Sequence, residues 1–207
     1  IESIMKSKEH GTSSTPVQKN LRFQVDRSKA DSICNFNRHY AEHSGYFLST
    51  QFLNEAKAAE KRGDQMKFYD SNTGALLFLA PVNRSMDEFI AESRAREYNY
   101  EIFAFHLYNA YILTEVERLG RPSFRDDEVV WENVRCLKDG ETVSTTGTHL
   151  GHNLPDKSGH RYCINLVSVA GNPQHSEFSY WSRIENFLKV LSLETLELEF
   201  YLHNVIE

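Results

Sequence analysis

The segment that most constrains the fold is Arg161-Tyr162-Cys163-Ile164-Asn165-Leu166-Val167-Ser168. Its β-branched and apolar content reads as a strand, and successive side chains on a strand point to opposite faces. Tyr162, Ile164 and Leu166 then form a core surface, and Arg161, Cys163 and Asn165 share the other face. Neighbours along one face stand roughly 7 Å apart. The thiol therefore lies between a fixed cation and an amide, and a nearby cation favours the thiolate. Just upstream, Thr148-His149-Leu150-Gly151-His152 supplies two imidazoles, the side chains best suited to moving protons near neutral pH. On a straight strand these two histidines would face opposite ways, so both reach Cys163 only if the backbone turns at Gly151.

Composition bounds the partners. A chain of 207 residues is long enough for one full core. Its net charge of −6, with lysines and arginines scattered, argues against nucleic acid as a partner. No apolar run reaches the length of a membrane span. The three cysteines, Cys34, Cys136 and Cys163, are too few and too odd in number for a disulfide framework. They suit a reducing compartment.

Residues 1–32 are rich in Ser, Thr and Lys and lack apolar periodicity, which reads as a disordered tail. The hydroxylated, basic-leaning composition also fits the remnant of a transit peptide, and the two readings stay open. Localisation is accordingly cytoplasmic, or plastid or mitochondrial if the segment is such a remnant. Gln51–Lys61 reads as a helix ended by Gly63. Met66–Tyr69 and Ala75–Ala80 read as strands around the turn Ser71-Asn72-Thr73-Gly74. Ser85-Met86-Asp87-Glu88 is a capping box that opens a helix. Lys138-Asp139-Gly140-Glu141 marks a hairpin between Val129–Cys136 and Thr142–Thr145. Two further helical stretches, 96–118 and 176–203, are expected as an inserted helix and an acidic amphipathic extension.

Three blocks carry a resemblance to a known family. His149-Leu150-Gly151-His152, with Asn153-Leu154-Pro155-Asp156 and Arg161-Tyr162-Cys163-Ile164-Asn165, resembles the C-terminal signature of methionine-R-sulfoxide reductase B. Gly120-Arg121-Pro122-Ser123-Phe124 is similar to that family's Gly-Trp-Pro-Ser-Phe motif, and Gly74-Ala75-Leu76-Leu77-Phe78 to its segment ending in Leu-Phe. The blocks stand in the family's order and span about residues 40–171.

The resemblance implies an α+β fold, mainly antiparallel β, as a small twisted barrel or β-tent with flanking helices at 50–62, 85–118 and 176–203. The reductase-like domain would run over 33–171, with a C-terminal extension over 172–207. Cys163 would attack the sulfoxide sulfur of methionine-R-sulfoxide and become a sulfenic acid. His149 or His152 would deliver the proton to the leaving oxygen. Arg161 and Asn165 would orient the reacting groups, and Arg121, Pro122, Ser123 and Phe124 would form the substrate pocket. Oxidised proteins or peptides would be the substrates.

Cys34, in the loose N-terminal region, and Cys136 are the candidates for a resolving thiol, Cys34 ranking ahead. Reduction by thioredoxin or glutaredoxin would need neither. The family's two C-x-x-C pairs fall on Asp70 and Thr73 and on Cys136 and Asp139, which leaves one thiolate of four, so neither structural zinc nor any other cofactor is expected. Metal ligation by His149, His152, Cys163 and Cys136 is the different-class reading of those residues. Arg121 replaces the tryptophan that packs on the substrate methyl group. Loss of such a wall costs about 1–3 kcal/mol of recognition. The competing expectation is therefore a binding module for a protein partner, built on the same β-fold with an impaired pocket.

Overall fold

The fold is organised by two antiparallel sheets, seen here in a computed structural model that describes residues 2–94 and 120–173. The first is a hairpin of β1 (Met66–Tyr69) and β2 (Leu76–Ala80). Its connection has the expected turn chemistry: Gly74 takes φ +76°, and its N–H donates to the Asp70 carbonyl at 2.7 Å. The second contains β3 (Ser123–Phe124), β4 (Val134–Cys136), β5 (Glu141–Ser144), β6 (His149–Asn153) and β7 (Tyr162–Ile164). Its strand order is β3-β7-β6-β5-β4. The α+β class, mainly antiparallel, is as expected. Of the expected barrel or β-tent, the closed barrel is not formed: among the described residues the two sheets stay separate and neither closes on itself.

Three α-helices accompany the sheets among the described residues. α1 (Arg27–Asp31) is capped by Asp26, whose carboxylate accepts the Lys29 N–H at 2.7 Å. α2 (Phe52–Arg62) buries Phe52, Ala56 and Ala59, spaced to share one stripe. It ends at Gly63, whose φ of +71° lets the N–H turn back onto the Ala59 and Glu60 carbonyls. α3 (Met86–Arg94) opens on the capping box read from the sequence. Ser85 Oγ accepts the Glu88 N–H at 3.1 Å, and the Glu88 carboxylate accepts the Ser85 N–H at 2.7 Å. The proposed continuation of this helix to 118, the inserted helix over 96–118 and the helical extension over 176–203 lie outside the described residues. Residues 1–173 group as one unit, apart from 174–207.

Phenylalanines fill the centre. Phe23, Phe47, Phe52, Phe68, Phe78, Phe89 and Phe124 are all buried in one cluster. Phe124 stacks on Phe78 at 4.2 Å and meets Phe68 edge-on at 4.9 Å. Each ring removed from water contributes about 1.5–3 kcal/mol.

The N-terminal segment is not the expected tail. Val17, Phe23, Val25 and Ala30 are buried in this same core. The Arg22 N–H donates to the Ala170 carbonyl at 2.6 Å, and Gln18 N–H to Ser71 at 2.8 Å. Val17, Phe23 and Val25 enter the core one at a time, before α1 begins, so they display no sustained period of 2 or 3.6.

Candidate active site

Four residues form a row across the larger sheet. Ser123 on β3 pairs with Cys163 on β7, Cys163 with His152 on β6, and His152 with Glu141 on β5. Directly opposed residues project from the same face, so the thiol, one imidazole and one carboxylate share a surface. His149 joins them through an irregularity in β6. Thr142 pairs with Gly151, but the next residue of β5, Val143, pairs with His149, leaving Leu150 as the extra residue. A bulge of one residue inverts the alternation beyond it. The two imidazoles, three positions apart, thereby meet edge-to-face with centroids 5.6 Å apart. The turn required at Gly151 is present as this bulge. Gly151 is also the only residue type the strand tolerates there, because a Cβ would stand 2.1 Å from the Cys163 carbonyl oxygen.

Asn165 holds the bulge in place. Its N–H and its side-chain amide both donate to the Leu150 carbonyl, at 2.8 and 3.1 Å. Its Oδ1 accepts the N–H of Glu42 at 3.1 Å. Glu42, wholly buried, receives the N–H groups of Leu166 and Val167 at 2.8 and 3.1 Å. Burial pushes this carboxyl up to about 7, the backbone donors only partly offsetting the loss of water. The Glu42 carbonyl in turn accepts Arg121 Nε at 2.9 Å. Glu42 was not singled out in the sequence, and a lone acidic residue in an irregular segment offers no signal that would have found it.

A cavity of about 260 Å³ opens in front of Cys163. Arg121, His152 and Asn165 line it, with His39 and Tyr40 from the preceding loop. Cys163 is 4% exposed, enough to face this cavity and not enough to meet bulk solvent. His149, 1% exposed, sits behind it. There its Nδ1 is 2.7 Å from Glu141 Oε1. Arg38 Nε lies 3.0 Å from Glu141 Oε2, and Arg38 Nη2 also binds that oxygen. Burial raises the Glu141 carboxyl, but hydrogen bonds from His149 and Arg38 outweigh it and hold the group down to about 2.

Several expectations are corrected. Of the pocket block Arg121, Pro122, Ser123 and Phe124, only Arg121 lines the cavity. Phe124 alternates to the opposite face and belongs to the aromatic core, and the Pro122 carbonyl accepts the Ile164 N–H at 2.9 Å. Arg161 Nη1 donates to Ser123 Oγ at 3.1 Å, and its Nε stands 3.8 Å from Asp156. It borders the site through the cross-strand neighbour of Cys163.

Cys34, expected to be reachable by flexing, is sealed in the core with Sγ 3.5 Å from Ser168 Oγ, and burial pushes its thiol up. Cys136 does not lie beside the active strand. It is on β4, three strand positions from β7, about 14 Å at the usual strand spacing. A disulfide needs Cα atoms within about 7 Å.

At the zinc positions of the resembling family, Asp70 is buried and bound by hydroxyls. Thr148 Oγ1 donates to it at 2.8 Å and Thr146 Oγ1 at 3.1 Å, which ties the hairpin turn to the β5–β6 turn. Among the described residues no three His, Cys, Asp or Glu side chains are grouped to hold a metal, and Cys136 stands three strand positions from Cys163. Nor is any described helix long and apolar enough to cross a membrane.

Searches against family models, curated proteins and solved structures each returned no match to this chain.

Proposed function

We propose that this chain is a thiol-dependent peptide-methionine (R)-S-oxide reductase, as its resemblance to methionine-R-sulfoxide reductase B implies. The observation that carries the reading is the pairing of Cys163 with His152 across β6 and β7, both lining one cavity. A nucleophile and a proton donor are thereby held on adjacent strands without reliance on loop conformation. The cavity, about 260 Å³, accommodates a side chain more readily than a large ligand.

The Cys163 thiolate attacks the sulfoxide sulfur while a proton passes to the sulfoxide oxygen, which is a poor leaving group until protonated. The oxygen is then transferred to Cys163, giving Cys163 sulfenic acid and free thioether. Sulfur of the cysteine loses two electrons and sulfur of the substrate gains two. A dithiol donor of the thioredoxin class then returns Cys163 to the thiol, releasing one water and leaving the donor as a disulfide. Neither remaining cysteine is placed to serve in its stead, so the reductant attacks the sulfenic acid directly. No cofactor takes part.

Mixing the full chain with one equivalent of methionine-R-sulfoxide is expected to yield one methionine and one dimedone-reactive sulfenate at Cys163, and Cys163→Ser to yield neither. Absence of sulfenate in the wild-type chain overturns the reading. Arg121 favours a second reading, a β-fold module that binds a protein partner. Its guanidinium stands where the family has an apolar wall, and saturable sulfoxide binding without chemistry would select that reading.

A further inference from the structure

We infer that Glu141, tied by Arg38, is a positioning residue that fixes His149 as the inner member of a proton relay whose outer member, His152, faces the cavity. Two contacts and the chemistry of the imidazole lead there. Glu141 and His149 are 2% and 1% exposed, so their 2.7 Å contact is made without water. The carboxylate carries no proton of its own to give, so the hydrogen in this contact belongs to His149 Nδ1. That leaves the opposite ring nitrogen, Nε2, as the one that can exchange a proton with a neighbour. The neighbouring ring is His152, in edge-to-face contact, and His152 but not His149 lines the cavity beside Cys163.

The carboxylate itself is anchored. Arg38 engages Glu141 through Nε and Nη2, which fixes the carboxylate plane. Arg38 immediately precedes His39 and Tyr40 of the cavity wall, so one ion pair couples the wall to the relay. The spacing Glu141, His152, Cys163 repeats every eleven residues because each strand pair returns the chain to the same row.

The inference rests on the proposed function for its kinetic consequence but not for its geometry, and the test separates the two. In ¹⁵N-histidine-labelled full-length protein at pH 8, two-bond ¹H–¹⁵N spectra are expected to show hydrogen on His149 Nδ1. Glu141→Ala is expected to move it to Nε2, the form favoured in water. A wild-type His149 with hydrogen on Nε2 alone overturns the inference whether or not the chain reduces sulfoxides.

In single-turnover sulfenate formation, Glu141→Gln is expected to lower the maximal rate 10- to 100-fold with half-saturation unchanged. Glu141→Asp should recover part of the loss. An unchanged maximal rate, or a change confined to half-saturation, overturns the positioning role. If the wild-type chain forms no sulfenate, the proposed function fails and the tautomer measurement alone decides on the relay.

Discussion

Glu42 shows how a single residue couples the site to pH. Its carboxyl has no solvent contact, and its ordinary value of 4.5 is raised to about 7. A carboxyl raised in the folded state holds a proton that the unfolded chain has already released. Between about pH 4.5 and 7 the folded state therefore binds more protons, and stability falls as pH rises, by up to about 1.4 kcal/mol per pH unit. The expected outcome is that urea midpoints of the wild-type chain, taken relative to Glu42→Gln, decline from pH 5 to 7 and level off above. A difference that stays constant over that window would remove Glu42 as the titrating group.

The cysteines make a second prediction at this scale. With Cys34 sealed in the core and Cys136 three strands away, the double variant Cys34→Ala/Cys136→Ala is expected to keep turnover with an external dithiol within about twofold of wild type, since tenfold corresponds to only about 1.4 kcal/mol. A Cys163 disulfide to either residue, seen by mass spectrometry of the non-reduced peptide digest, would contradict this.

At the scale of elements, the bulge in β6 is the decisive feature. Without the extra residue Leu150, His149 would face away from His152 and could not meet Glu141 on the same face. The bulge persists because Asn165 satisfies the Leu150 carbonyl twice and because Gly151 allows β7 to approach. Gly151→Ala would place a methyl group 2.1 Å from the Cys163 carbonyl, against backbone that has no rotamer to yield. The expected cost is about 2–4 kcal/mol, read from chemical denaturation, with loss of Cys163 reactivity even in the fraction that remains folded. A well-folded variant of unchanged reactivity would show that the β6–β7 approach is not what places the thiol.

Across the whole molecule, the core is closed by parts of the chain far apart in sequence. The N-terminal segment contributes Val17, Phe23 and Val25 to a cluster that also draws on α1, α2, α3, both sheets and the segments between them. Deleting residues 1–25 removes three side chains of this cluster and exposes the surfaces of Phe52 and Phe68 that pack on Phe23. Loss of cooperative thermal unfolding is the expected result, because one aromatic deletion alone costs about 3–5 kcal/mol of a total that is seldom above 15. A truncated chain that melts as sharply as the intact one would instead mark the segment as dispensable.

What was legible in the residues was local and periodic. The alternation around Cys163, the Ser85–Glu88 capping box, the Gly63 and Gly74 terminations and the Lys138–Glu141 turn each depend on neighbours within a few positions, where backbone preference alone decides the structure. The tertiary structure alone decided which side chains meet: Glu141 with His149, Glu42 with the Leu166 turn, Phe124 with the core instead of the pocket, and Cys136 three strands from Cys163. Those contacts follow from strand order, from one extra residue in β6 and from burial, and a period read along a chain contains none of the three.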